Sequence, residues 1–252
     1  MFEKSIHFAH QLTDWAEKIL TWVLPFTCVL CKEPAEGPLD LCQACRQDLP
    51  IVAHKCPQCG TKLGTTPPLT CGACLQAPPP FAATYALYDY QWPLPSLILG
   101  LKFGQELKFA RVLGELLAEK IAQDWYKGKS LPELIVPVPL HRERLKERGF
   151  NQALELARPI SKRLKIPIDT HSVHRVKNTR AQMELKAKER RLNIKGAFAV
   201  DGHFTHKRIA ILDDVVTTAS TAKELTRALL SNGAAEVDLW CCARAQIRKL
   251  SY

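Results

Sequence analysis

The spacing of apolar residues changes in character along this chain of 252 residues. Near the start, apolar side chains recur every three or four residues, which predicts an amphipathic helix over residues 1–24. These positions are Phe8, Leu12, Trp15, Ile19, Trp22 and Val23. Asp14, Glu17 and Lys18 interrupt the stretch, so we expect neither a signal peptide nor a membrane span there. Packing on the protein itself is the favoured role, and docking on a membrane surface or a partner is the alternative.

From residue 82 onward, short apolar runs alternate with stretches of helical spacing. Strands are predicted at residues 83–90, 134–139, 207–213 and 236–243, and helices at 93–103, 106–126, 151–165 and 220–232. Pro159 is expected to kink the third helix or to shorten its hydrogen-bond ladder. This alternation is typical of a parallel sheet flanked by helices, so residues 81–252 are predicted to form an α/β domain. Ligands of such sheets bind beyond the carboxyl ends of the strands.

Composition is that of a globular protein, with 46% hydrophobic and 24% charged residues. A formal net charge of +10 suggests an anionic partner, which could be a nucleic acid, a phosphorylated metabolite or a membrane surface. A basic surface without such a partner is the alternative. Because no export signal is visible, a cytoplasmic location is expected, and disulfides are not expected in that reducing compartment.

Eight of the ten cysteines form four Cys-x-x-Cys pairs. The pairs are Cys28/Cys31, Cys42/Cys45, Cys56/Cys59 and Cys71/Cys74. A two-residue spacer places two thiolates on one tight turn, which suits a tetrahedral metal. Thioredoxin-like chemistry would need a single pair in a βαβ unit, and iron–sulfur ligation fits the regular spacing less well than zinc. We therefore predict two structural zinc sites in a double zinc ribbon over residues 25–77, whose metal supplies much of its folding energy.

The pairing of these ligands is less strongly specified. Sequential ribbons would join the first pair to the second and the third to the fourth, closing short loops, whereas a cross-braced arrangement closes longer ones at a modest entropic cost. The loop argument favours the sequential arrangement. Cys241 and Cys242 lie on an apolar strand and are predicted to be core residues. The proline run over residues 77–81 is predicted to be a semi-rigid spacer that marks the domain boundary.

The third predicted strand of the α/β domain leads into the most informative motif of the chain. Asp213 and Asp214 are followed by a turn that contains Thr217, Thr218, Ser220 and Thr221. Adjacent carboxylates can accept hydrogen bonds from vicinal sugar hydroxyls or join a Mg²⁺ site, and a hydroxyl-rich helix start suits a phosphate. The alternative is an acidic turn with a Ser/Thr helix cap, which needs one hydroxyl rather than four. The motif favours a site for ribose 5-phosphate.

Two further stretches are strongly basic. Residues 141–152 follow a buried strand and contain Arg142, Arg144, Lys146 and Arg148, with Gly149 interrupting the run. Such a run can be a solvated helix, but its place after the strand favours a mobile anion-binding loop. Residues 175–193 contain few large apolar residues. They could form an exposed hairpin or helix, a flap over a substrate, or a strip that contacts a nucleic-acid backbone.

Taken together, these motifs closely resemble the ComF competence-protein family (the ComFC/GntX group), over residues 25–245. The resemblance rests on the cysteine quartet and on residues 101–103, 136–139, 148–152, 196–198 and 213–221, together with Thr179, Gln182, Arg190 and Asn193. It implies a type I phosphoribosyltransferase-like fold for the α/β domain. Ala219 departs from the family, which usually has glycine there; a positive φ at this position would cost alanine about 1 kcal/mol or more.

The resemblance implies that the ligand is phosphoribosyl diphosphate (PRPP) with Mg²⁺, or a similar ribose phosphate. Asp213 and Asp214 would hold the ribose hydroxyls and act as the catalytic pair if there is turnover. The implied ligand-binding residues are these two acids with Val215, Thr217, Thr218, Ala219, Ser220 and Thr221 for the 5-phosphate, and Pro139, Leu140, His141 and Arg142 for the pyrophosphate. The implied anion or nucleic-acid contacts are Lys102, Arg144, Arg148, Asn151, Gln152, Thr179, Gln182, Arg190 and Asn193.

Three functions are compatible with these features. The favoured one is a competence protein for natural transformation, which handles incoming single-stranded DNA beside a helicase-like competence ATPase and a recombination mediator. The others are a phosphoribosyltransferase of nucleotide metabolism and a regulator that senses PRPP. No residue pattern identifies an acceptor base.

Overall fold

The chain divides into two units after Asp48 in its computed structural model. The structure describes residues 26–35, 39–64, 70–178 and 194–246. The predicted helix over residues 1–24 and most of the second basic stretch, residues 179–193, lie outside this part. Among the described residues, no helix has the length and apolar character needed to cross a bilayer.

The described part of the first unit forms short turns around its four cysteines. The Cys28 N–H donates to the Glu33 carbonyl at 2.8 Å, and the Lys32 N–H donates to the Cys28 carbonyl at 2.9 Å. Helix α1 (Gln43–Gln47) follows Cys42, which is its N-cap. Among the described residues of this unit, the buried hydrophobic side chains are those of Cys28, Val29 and Leu41. These few side chains cannot by themselves offset the entropy of ordering the described turns, and small modules of this kind depend on a metal.

The second unit is built on a parallel sheet of four strands. They are β1 (Thr84–Asp89), β2 (Leu134–Pro137), β5 (Arg208–Val216) and β6 (Glu236–Arg244), in the order β1-β6-β5-β2. Most residues of the two central strands are buried, as is usual where both faces of a parallel sheet are covered. A separate antiparallel hairpin pairs β3 (Val173–Arg175) with β4 (Phe198–Val200). The predicted α/β class is therefore confirmed.

The described helices of this unit are α2 (Gly72–Gln76), α3 (Leu94–Phe103), α4 (Leu107–Lys120) with a π-helical turn at Ile121–Trp125, α5 (Arg142–Arg148), α6 (Gln152–Leu164) and α7 (Ser220–Ser231). Of these, α4, α6 and α7 pack on strands. Helix α6 packs on β2, β5 and α4, whereas α7 packs on β6 and β4. Helix α6 continues through Pro159. Gly114 of α4 lies opposite, where a Cβ would come 2.3 Å from the Pro159 Cγ, so glycine permits the close approach of the two helices.

Residues 50–61, which lead into and through the third cysteine pair, run along the outer edge of β1. The Thr84 N–H donates to the Pro57 carbonyl at 3.0 Å and the Asp89 N–H to the Pro50 carbonyl at 2.8 Å. The Thr84 hydroxyl donates to the Gln58 carbonyl at 2.6 Å. At the opposite edge, the Ile135 N–H of β2 donates to the Pro167 carbonyl at 2.9 Å. Both edges of the sheet are thus partly covered by the chain's own backbone.

The division into units differs from the predicted domain boundary at residues 77–81. The second half of the cysteine-rich region belongs with the sheet, because the hydrogen bonds just described join it to β1. Pro79 and Phe81 are buried, so the proline run packs on the unit rather than spanning open space. Whether residues 77–81 separate two functional modules stays a prediction.

Two sequence-based expectations need correction. The basic stretch after β2 is the α-helix α5, not a mobile loop. His141 caps its start, where the Nδ1 accepts from the Glu143 N–H at 3.4 Å, and Gly149 ends it with φ of 83°. Strand β5 also extends to Val216, three residues beyond its predicted end, because β6 runs beside it as far as Arg244. Cys241 and Cys242 are fully buried on β6, as predicted.

Candidate ribose-phosphate site and metal centres

The eight cysteines gather into two clusters of four. Cys28, Cys31, Cys42 and Cys45 form the first, and Cys56, Cys59, Cys71 and Cys74 form the second. Within each cluster, the Sγ atoms all lie within 4.8 Å of one another. This is the sequential pairing, which the closure of short loops favours.

In each cluster, one thiol has a lowered pKa and therefore favours the thiolate form. Burial raises the pKa of the Cys28 thiol, but the N–H groups of Cys31, Cys42 and Leu30 outweigh burial and lower that pKa to about 6. In the second cluster, burial again opposes ionisation of Cys59, but Thr61 lowers its pKa to about 7. Cys45 resists ionisation beside the Cys28 thiolate, because burial and the neighbouring cysteines raise its pKa. A divalent cation removes this repulsion, so four thiolates around zinc fit both clusters.

The paired acids lie near the carboxyl end of β5 in two different environments. Asp213 is partly exposed, whereas Asp214 is 3% exposed. Successive residues of a strand point to opposite faces, which accounts for the contrast. The Asp214 carboxylate forms an ion pair with the Lys102 Nζ and accepts from the Gln152 Nε2 at 3.4 Å. Among the described residues, Asp213 has no ion pair of this kind.

The charges of the two acids follow from these contacts. Burial and the neighbouring Asp214 charge raise the pKa of Asp213 to about 8. Burial acts in the same direction on Asp214, but the Lys102 ammonium more than offsets it and holds the pKa of Asp214 below its usual range. Asp214 therefore stays ionised and its charge is balanced by Lys102, whereas Asp213 titrates near neutral pH.

Cations surround this pair. The Arg148 Nη1 donates to the Gln152 Oε1 at 2.6 Å, which links Arg148 through Gln152 to Asp214. Burial lowers the pKa of Arg175, and the nearby Arg144 charge lowers it further, whereas the Asp213 charge raises it. Arg175, on β3, was not among the predicted site residues. It begins the basic stretch of residues 175–193, but its place beside the acid pair depends on the pairing of β3 with β4, which the sequence did not predict.

The turn after β5 has the geometry expected of an anion site. Ala219 has φ of 57°, so the position where the family usually has glycine is left-handed. Helix α7 begins at the next residue, and the Ser220 and Thr218 hydroxyls lie 2.8 Å apart. N–H groups at a helix start favour a negatively charged group. Ala219 thus tolerates the conformation at a cost of about 1–2 kcal/mol.

Several of the other predicted residues line three cavities. Pro139, Leu140, His141 and Arg142 line one of about 690 Å³, together with Arg175. Lys102, Arg144 and Arg148 line a second of about 370 Å³, and Thr218 and Ser220 line a third of about 320 Å³. Asp213 and Asp214 line none of the three. Asn151 also lines the first cavity, and its Nδ2 donates to the Val138 carbonyl after β2 at 3.1 Å. Thr179, Gln182, Arg190 and Asn193 lie outside the described residues.

Known proteins are similar to this chain. A family model described as a double zinc ribbon domain matches residues 19–75. The chain is 40% identical over 223 residues to the DNA utilization protein YhgH of Escherichia coli (strain K12), covering 88% of this chain and 98% of that protein. It is 36% identical over 226 residues to Competence protein F of Haemophilus influenzae, covering 87% of this chain and 97% of that protein.

Among solved structures, the chain is similar to adenine phosphoribosyltransferase from Leishmania tarentolae, with 12% identity and a TM-score of 0.39, covering 64% of this chain and 91% of that one. The curated relatives match at much higher identity and over nearly their whole length. The chain therefore belongs to the ComF competence-protein family.

Proposed function

We propose that this protein is a cytoplasmic competence factor that handles incoming single-stranded DNA and binds a ribose phosphate or PRPP beside Asp213. A similar protein of Haemophilus influenzae is named Competence protein F, which supports the competence role. The observation that carries the ligand proposal is the unequal acid pair directly ahead of a left-handed turn and a helix start. A merely structural turn has no need of a carboxyl group that titrates near neutral pH.

The two acids would have different roles. Asp213 is partly exposed and would accept hydrogen bonds from the vicinal ribose hydroxyls. Asp214 is committed to Lys102 and Gln152, so it would act by holding those side chains in place. The 5-phosphate would bind at the turn of residues 217–221, where backbone N–H groups and the start of α7 favour an anion.

A pyrophosphate group would lie toward Pro139, Leu140, His141 and Arg142. Arg144, Arg148 and Arg175 already make this region positive, so a bare Mg²⁺ would be repelled. Magnesium fits here as part of a PRPP complex, whose phosphates supply the compensating charge. In a transferase, arginines would then stabilise the negative charge of the departing pyrophosphate.

Single-stranded DNA would contact the exposed surface of α3 and α5. Phe103 is 73% exposed, and the Arg148 guanidinium lies 5.7 Å from the centre of its ring. Lys102 and Arg144 border the same depression. An aromatic ring next to cations can stack a base and bind phosphates without reading the sequence.

Calorimetric titration tests the ligand proposal. Ribose 5-phosphate should bind to the zinc-loaded protein, ribose without phosphate should bind far more weakly, and Asp213→Asn should reduce affinity for the phosphate ester. PRPP should bind more tightly with Mg²⁺ than without it. Failure of the wild-type protein to bind any ribose phosphate would refute this part of the proposal.

Fluorescence anisotropy with a labelled oligonucleotide tests the DNA proposal. The variant Arg144→Ala/Arg148→Ala should bind less well at low salt, and the loss should shrink as salt rises. The variant Lys162→Ala/Arg163→Ala removes the same charge from the exposed end of α6 and should bind like the wild type. Equal losses in both variants would mean that only net charge matters.

A transferase is the second candidate, and the cavity next to residues 139–142 favours it because about 690 Å³ is ample for a base. Incubation with PRPP, Mg²⁺ and a panel of nucleobases should then release pyrophosphate. Tight PRPP binding without release, for every base in the panel, would instead favour a regulator that senses PRPP.

A further inference from the structure

Arg244, the last residue of β6, connects two parts of the molecule that the sequence keeps far apart. Its side chain is almost fully buried, with 7% of the residue exposed. On one side, its Nε donates to the Cys59 carbonyl at 2.9 Å and its Nη2 donates to the Thr61 hydroxyl at 3.2 Å. On the other side, its Nη1 donates to the Val216 carbonyl at 3.0 Å and also to the Thr217 carbonyl.

Both sets of acceptors belong to sites described above. Cys59 is one of the four thiols of the second cluster, and Val216 and Thr217 lead into the turn proposed to bind the 5-phosphate. A trans peptide group is planar, and its C=O and N–H point in opposite directions. When Arg244 holds the Thr217 carbonyl, it therefore also aims the N–H of Thr218 away from itself.

The cysteine cluster is held closely against the sheet at this point. Gly60 has φ of +68°, and a Cβ there would lie 2.8 Å from the Thr84 Cγ2. The same Cβ would lie 3.6 Å from the Arg244 Cδ. The Cys59–Thr61 turn cannot shift far without moving the guanidinium, so the order of the turn and the position of Arg244 depend on each other.

We propose that Arg244 is a positioning residue that joins the second cysteine cluster to the phosphate turn, so that zinc at that cluster sets the affinity for ribose phosphates. This inference rests on the proposed ribose-phosphate site. The four thiolates fix the Cys59 turn when they share a metal, and Arg244 conveys that fixed position to residues 216–218. Lysine cannot replace it, because one ammonium group cannot reach acceptors on both sides at once.

Arg208 provides a matched control at the opposite end of β5. Its Nη1 donates to the Ser130 carbonyl at 3.2 Å and its Nη2 to the Leu131 carbonyl at 3.0 Å. Arg208 therefore also joins backbone segments through a guanidinium, but it touches neither the cysteine cluster nor the turn. Its loss should lower stability without a specific effect on the ligand.

The experiment compares Arg244→Met, Arg244→Lys and Arg208→Met as full-length, zinc-loaded proteins. Zinc per chain is measured by atomic emission, thermal stability by circular dichroism, and affinity for ribose 5-phosphate by calorimetry. Both Arg244 variants should retain two zinc ions yet bind the ligand at least tenfold more weakly. Arg208→Met should bind within twofold of the wild type.

Three outcomes would overturn the inference. Wild-type affinity in Arg244→Met refutes the link, and equal weakening in Arg208→Met shows that loss of general stability is the cause. A wild-type protein that does not bind ribose 5-phosphate refutes the proposed site itself, and the inference with it.

Hydrogen exchange on the wild-type protein keeps the inference testable if the Arg244 variants do not fold. During removal of zinc by a chelator, amides of residues 216–221 should lose protection before those of Leu134–Pro137. Simultaneous loss in both segments would contradict a specific link.

Discussion

At the scale of single residues, two adjacent acids that look equivalent in the sequence have different charge states in the structure. Asp213 and Asp214 are chemically identical neighbours, but Lys102 neutralises one and leaves the other to titrate. The sequence identifies both acids and the lysine as candidates. It cannot assign the ion pair, because Lys102 on α3 and Asp214 on β5 are far apart in sequence and meet only in the folded protein.

The raised pKa of Asp213 predicts how ligand binding depends on pH. Ribose hydroxyls donate to the ionised carboxylate and so favour it, which means that binding releases a proton below the pKa of about 8. Affinity for ribose 5-phosphate should rise by roughly tenfold from pH 7 to pH 9, where the ligand's own phosphate is already ionised. Calorimetry in two buffers of different ionisation enthalpy measures the proton release. Asp213→Asn should remove the pH dependence, and a pH dependence that persists in this variant would assign it to another group.

The Lys102–Asp214 pair predicts an unequal response to substitution. Lys102→Met leaves a buried carboxylate without its cation and should lower the free energy of unfolding by about 3 kcal/mol. Adding Asp214→Asn removes the uncompensated charge and should recover part of the loss. Urea unfolding of the two variants measures both effects. A double variant less stable than the single one would contradict the assignment of the ion pair.

At the scale of elements, the apolar pattern was sufficient for the four parallel strands and most of the helices. Their bounds differ from prediction where a neighbour decides them, as at Val216, which is paired with Arg244. Helix α5 was predicted to be a loop because its residues are nearly all charged and give little apolar periodicity. Its capping residues, His141 and Gly149, were therefore not recognised as the ends of a helix. The β3–β4 hairpin was not predicted, since three-residue strands carry almost no periodic signal.

The packing of α4 on α6 gives a test at this scale. Gly114→Ala would place its Cβ 2.3 Å from the Pro159 Cγ and 2.7 Å from the Leu156 carbonyl oxygen. Neither the proline ring nor the backbone can move away easily, so the substitution should destabilise the protein by about 2 kcal/mol despite alanine's better helix propensity. Gly64→Ala is the control, because a Cβ there meets no atom within 4 Å. Equal urea midpoints for the two variants would show that the helices can separate at little cost.

At the scale of the whole molecule, the two cysteine clusters belong to different units although their sequences look alike. The spacing of the cysteines predicted both clusters and their sequential pairing. The cysteine spacing could not predict that the second cluster would be joined to the sheet. The residues of the sheet that contact this segment, Thr84, Asp89 and Arg244, are not part of the cysteine pattern.

Loss of zinc should therefore have different consequences at the two clusters. Cys45→Ser should abolish one zinc site and disorder the first unit, while the melting temperature of the second unit stays near that of the wild type. Cys74→Ser should lower the melting temperature of the second unit, because the segment that pairs with β1 loses its metal. Circular dichroism and zinc stoichiometry measure both effects. A fall of the same size in both variants would show that the clusters act as one.

The backbone of residues 50–61 along β1 also bears on how the protein must be made. A newly synthesised chain that has not yet taken up metal leaves the donors and acceptors of this strand open to a second copy. Self-association then competes with correct folding during expression. The supply of zinc at synthesis, rather than its addition afterwards, should decide how much soluble protein is recovered.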